Sequence, residues 1–155
     1  MTVNDWSQNG HVHLWRYPPG RKKHAGWHVT ADAPGSASVA DLLDRMEAGN
    51  TSALRTLKLD HASAEIVAVP NFGDPAHDAP DTMRLAYVPD DPDFAVSLEE
   101  ERLVVRFGKA RLPDLRTAFV EVGIGGGDFA LWPNTAKGGT PLWFWWLPRS
   151  TKHRF

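Results

Sequence analysis

The residues best equipped for chemistry come early in the chain: His11, His13, His24 and His28. His11 and His13 lie in an alternating stretch, HVHLWRY, that predicts a strand over residues 11–17. Alternate side chains of a strand share a face, so these two imidazoles project to one side, as paired metal ligands do. A site of that kind continues with a glutamate four or five residues on. Here those positions hold Tyr17 and Pro18, and the first glutamate is Glu47. HExxH is absent, and so is cysteine. The expectation is therefore no metal and no cofactor, with the histidines at a strand edge. Whether the four converge is a matter for the fold, and a small metal-dependent or hydrolytic enzyme using them is the alternative reading.

Other catalytic patterns fail on spacing. The run GIGGGD at residues 123–128 follows a helical stretch and leads into a strand. A phosphate-binding glycine loop does the reverse and precedes its helix. It is expected to be a helix stop and a turn. No GxSxG occurs, and the serines at 36, 38, 52 and 63 fall in loop or cap contexts. The paired acids Asp90/Asp91 and Glu99/Glu100/Glu101 fall in turns, where solvation keeps carboxylates ordinary. No catalytic residue is assigned.

Charge is uneven. The net charge is −2, but residues 59–101 hold eleven acids against one base, Arg84, a net of −10. The preceding 58 residues carry +2 and the following 54 carry +6. An acidic block attracts basic partners and repels nucleic acid. The basic stretches RKK at 21–23 and RSTKHR at 149–154 are short. No nucleic acid is expected as a partner. The acids are expected to form one continuous negative surface.

The 155 residues suit a single domain, 1–155, with a core that needs no disulfide or metal. Absence of cysteine suits a reducing compartment. The start MTVNDWSQNG has neither the basic nor the apolar region of a signal peptide, and no apolar run has membrane-span length. A cytoplasmic protein without membrane attachment is expected.

The elements that position these residues follow from periodicity. Strands are predicted at 11–17, 27–31, 54–59, 64–69, 83–88, 94–98, 103–107, 128–132 and 142–147. Val39, Leu42, Leu43 and Met46 form the stripe of a helix capped by Ser38 and stopped at Gly49. Leu112, Leu115, Phe119 and Val122 form the stripe of a second, opened by Pro113 and stopped at Gly123. Each half then reads strand, strand, helix, strand, which suggests an internal pseudo-repeat. The class is α+β: a largely antiparallel sheet with both helices on one face.

The last predicted strand contains LWFWWL. Leu142, Phe144 and Trp146 should face the helices, through Leu42, Leu43, Met46, Leu115 and Phe119. Trp143 and Trp145 should lie on the other face, only partly covered. Exposed indoles of this kind mark an interaction site. The expected partner-binding residues are therefore Asp74, Asp78, Asp90, Asp91, Asp93, Glu99, Trp143 and Trp145.

Three of these features together resemble small bacterial immunity proteins, the antidotes to polymorphic or contact-dependent toxins. They are the helix-to-strand segment SVADLLDRMEAG…RTLKLD, the run MRLAYVPDDPDF…RLVVRFGKARLPDLRTAFVEVG, and the tryptophan-rich final strand. The arrangement over residues 38–147 is similar to the immunity proteins of deaminase-type toxins. That resemblance implies a non-catalytic protein that binds one cognate toxin and occludes its active site; it carries no shared functional residues onto this chain. A homodimeric ligand-binding domain, with the tryptophan strand at the seam, is the remaining alternative.

Overall fold

The computed structural model describes residues 2–17, 25–70, 78–134 and 139–148. After a 3₁₀ turn at Val3–Asp5 come strands β1 (Val12–Trp15) and β2 (Trp27–Ala31), helix α1 (Ala33–Gly49), strand β3 (Ala53–Lys58) and the single turn α2 (Ala64–Val67). Strands β4 (Thr82–Tyr87), β5 (Phe94–Glu99) and β6 (Arg102–Phe107) follow, then helix α3 (Leu112–Gly123), β7 (Phe129–Leu131) and β8 (Leu142–Phe144).

The α+β class holds, with the strands divided between two sheets rather than gathered in one. The sheets have orders β1-β2-β8-β7 and β3-β4-β6-β5. In each, the two outer pairings are antiparallel and the central one, β2–β8 or β4–β6, is parallel. The connectivity has a two-fold pseudo-symmetry. The unit β1β2-α1-β3β4 matches β5β6-α3-β7β8, and each unit gives one hairpin to each sheet. The helices run antiparallel: the first turn of α1 meets the end of α3, and Arg116 bonds Asp44 through two hydrogen bonds of 2.7 and 3.1 Å. A Cβ added at Gly123 would lie 2.8 Å from Ser36 Cβ, so glycine permits that close approach.

Local chemistry explains the helix ends. Asp32, not Ser38, caps α1: its carboxylate accepts from Gly35 N at 2.7 Å, and a proline lies in the first turn. Ser38 is buried within the helix, where its Oγ accepts from Asn9 N. Asn50 ends α1 in the left-handed conformation, φ 50°. Residues 64–67, predicted as strand, are helical because Ser63 caps them through Ile66 N at 3.2 Å. As expected, the glycine run closes α3, and Gly125 has φ 96°.

One core joins the inner faces of both sheets to both helices. Leu142 and Phe144 enter it as predicted, and Phe144 packs edge-on against Phe119 at 5.3 Å. Trp146 does not: β8 ends at Phe144, and Trp146, beyond that end, is 38% exposed. On the outer face of the first sheet, α2 forms a lid. Ala62, Ile66 and Val67 cover Trp15, Tyr17 and Trp145, so Trp145 is only 2% exposed. Trp145 is thus a core residue and no docking residue. Mutation of Phe144 to Ala is expected to cost roughly 3–5 kcal/mol, and of Trp146 to Ala about 1 kcal/mol, read by chemical denaturation.

The two-residue turn between β5 and β6 holds Glu100 at φ 51° and Glu101 at φ 65°. Both lie where the Cβ of an L-residue meets backbone, at about 1–2 kcal/mol per residue, and where Asn-Gly is favoured. The double change Glu100→Asn, Glu101→Gly is expected to stabilise the fold by about 1 kcal/mol or more, raising Tm by about 3 °C in a thermal melt.

Candidate functional site

The histidines separate. His11 Nδ1 pairs with Asp60 Oδ2 at 2.8 Å on the exposed edge of β1. His13 Nδ1 lies 3.2 and 3.1 Å from the carbonyls of Asp60 and His61. His28 is fully buried on the outer face of the first sheet, where Trp145 Nε1–H donates to its Nδ1 at 2.9 Å. Indole nitrogen only donates, so this bond needs Nδ1 unprotonated. His24 lies outside the described residues. Among the described residues no group of three or more His, Cys, Asp or Glu is placed to hold a metal ion. A carboxylate does meet the HxH pair, but it is one carboxylate from 49 residues away, and it pairs with His11.

The acids also separate. Asp90, Asp91 and Asp93 precede β5, whereas Glu99, Glu100 and Glu101 lie five to seven residues after its start, about 20 Å along the strand. Asp78 belongs to the second group. It bridges β1 through two backbone bonds to Arg16, and its carboxylate takes the Arg16 guanidinium at 3.3 and 3.2 Å. With Asp81, Leu98 and Glu101 it lines a cavity of about 230 Å³ at the mouth between the sheets. The single negative surface expected from the sequence is therefore two acidic ends. Asp74 lies outside the described residues.

One of those ends meets the indoles. Asp91 Oδ1 accepts from Asp93 N at 2.9 Å, which folds the turn back on itself. Gly108 lets it seat, since an added Cβ there would strike Asp91 O. Asp93 Oδ1 accepts from Phe94 N and from Asn134 N, at 2.7 and 2.8 Å, and Asn134 Nδ2 donates to Pro92 O at 2.6 Å. Arg111 completes the corner. It donates to Asn134 Oδ1, to Trp132 O at 3.1 Å and to Asp114 at 3.0 Å, and lies over the Phe94 ring. Trp132, so anchored, is 55% exposed and meets Trp143 edge-on at 6.4 Å. Trp143 is half-buried and begins a stacked row, 5.8 Å from Trp145 and 6.5 Å from His28, with Trp15 5.6 Å beyond His28.

Of the expected partner-binding residues, the fold thus gathers Asp90, Asp91, Asp93 and Trp143 at one corner. It sends Asp78 and Glu99 to the other end and buries Trp145. Sequence reasoning missed Trp132, Asn134 and Arg111. Trp132 carries the same strand parity as Ala130, which pairs with Trp143, but that pairing is not visible without the sheet order.

No protein-family model, curated protein or solved structure matches the chain. Among the described residues no helix is long and apolar enough to cross a membrane.

The His11–Asp60 pair has a pH signature. The hydrogen bond and charge of Asp60, with a smaller effect from Asp32, raise the His11 pKa above its ordinary 6.5. A raised folded value means that the pair's contribution to stability is complete below about pH 6.5 and is lost as pH rises through the folded pKa. NMR titration of the His11 ring should give a midpoint above 6.5, and Asp60→Asn should return it towards the ordinary value.

Proposed function

We propose that this chain is a non-catalytic binding protein of the toxin-neutralising kind its sequence resembles, docking a protein partner at the corner formed by Trp132, Trp143 and the 90–93 turn. The observation that carries this reading is the coupling of an exposed indole to an acidic turn through Asn134 and Arg111. Segments that must order on binding weaken association, and this network fixes the Trp132 backbone beforehand. A large aromatic with a charged rim is the composition of an interface hot spot. Asp90 and Asp91 at that rim would speed encounter with a basic partner and discriminate against acidic ones. Toxins that act on nucleic acid have basic clefts, so such a cleft is the proposed target. A cysteine-free antidote of this kind would act in the bacterial cytoplasm.

The reading expects a toxin gene beside this one, and it is tested by calorimetry and stopped-flow binding with the toxin domain of that neighbour. Trp132→Ala is expected to weaken binding by about 2 kcal/mol or more while leaving the melting temperature within about 2 °C. Asp90→Asn with Asp91→Asn should slow association and flatten its salt dependence, with little change in dissociation. Undiminished affinity in Trp132→Ala would sink the proposal.

A further inference from the structure

Pairing register sorts a second set of side chains that the sum of charges conceals. In the sheet β3-β4-β6-β5 the inner face holds Leu57, Met83, Leu85, Leu103 and Val105, all buried. The opposite face therefore carries Lys58, Arg84, Arg102 and Arg106. None of these four makes an ion pair among the described residues, although Arg16, Arg45, Arg111 and Arg116 all do. Arg84 reaches only Thr56 Oγ1, at 3.4 Å, and Arg102 Nε is shielded from solvent with no hydrogen-bond partner. The one acid on this face, Glu99, stands opposite Arg102 in register but accepts from Ser97 Oγ at 2.8 Å.

Register also fixes their arrangement. Lys58 is opposite Thr82 and Arg84 is two residues further along β4. Arg84 is opposite Val104, and Arg106 is two residues further along β6. Each step crosses one strand and advances two residues, so the three cations form a diagonal with steps of about 8 Å. Arg102 stands beside that line. Between them lie the hydroxyls of Thr56, Thr82 and Ser97.

We propose that this face binds the phosphodiester backbone of nucleic acid. A line of unpaired cations fits a linear polyanion. Guanidinium, ammonium and hydroxyl groups are the set that contacts phosphate and sugar. Among the described residues the face has no aromatic side chain to stack on a base, so binding is independent of sequence. It also lacks the central apolar anchor of a protein interface, having only Leu54 at one corner. A flat anionic membrane would bring its charge against the acidic turns at both ends of β5, whereas a strand laid along Lys58, Arg84 and Arg106 meets only one of them, the 90–93 turn, and only at its end. The acidic block of residues 59–101 that argued against nucleic acid places only Glu99 on this face among the described residues.

The test is fluorescence anisotropy with labelled oligothymidine about twenty nucleotides long, between about 20 and 200 mM salt. Four phosphate contacts on a single strand give a slope of log K against log salt of about −3. Arg84→Gln with Arg106→Gln should halve that slope and weaken binding at least tenfold at low salt, with an unchanged melting temperature. Arg84→Lys with Arg106→Lys should retain most of it, and Trp132→Ala should leave it unaffected, which separates this face from the protein-docking corner. No salt-dependent binding by the wild type, or undiminished binding by the glutamine variant, overturns the proposal. So does equal affinity for polyglutamate or for vesicles of anionic lipid, since either assigns the face to an acidic protein or a membrane.

Discussion

The antiparallel contact between α1 and α3 is the constraint on which the rest of this molecule depends. Each helix carries one apolar stripe, and the two sheets together present two apolar faces. Burial of all four in one core requires the helices to lie side by side between the hairpins of both halves. Gly123 against Ser36 sets how closely they approach, and Arg116 with Asp44 sets their register. Because each half sends one hairpin to either sheet, the parallel junctions β2–β8 and β4–β6 close only when both halves are present. Neither half contains a complete sheet, so stability is a property of the pair.

That shared core leaves each sheet with an outer face, and the two faces have opposite fates. The first is rich in aromatic residues. α2 shields Trp15, Tyr17 and Trp145, and the indole–imidazole bond between Trp145 and His28 satisfies polar atoms that would otherwise be costly to bury. Only where the lid ends do Trp143 and then Trp132 come towards solvent. The second face needs no lid. Its small apolar residues, Ala86 and Val104, are already buried, while Lys58 and Arg106 stay exposed. Acids gather in the turns because turns are solvated, and the sheet's length then holds the two acidic groups apart.

Much of this was legible in the residues themselves. The apolar stripes of α1 and α3, Pro113 at a helix start, the glycine run as a stop and most strands follow from local periodicity and cap chemistry. A repeat was legible too, as strand, strand, helix, strand; that β4 closes the first unit as a hairpin with β3 was not, because residues 64–69 read as that unit's last strand. Local chemistry also misled at identifiable points. Ser38 has good capping chemistry, but Asp32 with a following proline starts the helix earlier. Residues 64–69 alternate like a strand, but Ser63 caps them into a turn of helix.

By itself the sequence determined the element types, the α+β class and which side chains can be charged or large. The tertiary structure alone decided which of them meet. The division into two sheets, the burial of Trp145 with the exposure of Trp146, and the joining of Trp132 to the 90–93 turn all depend on strand order and on where β8 ends. The separation of the 90–93 acids from Asp78 and Glu99 to Glu101, and the collection of Lys58, Arg84, Arg102 and Arg106 on one face, depend on register. The physical reason is common to these cases. A helix or a strand is written in contacts a few residues apart, whereas sheet order, lids and surface charge arise from contacts dozens of residues apart, which no local pattern encodes.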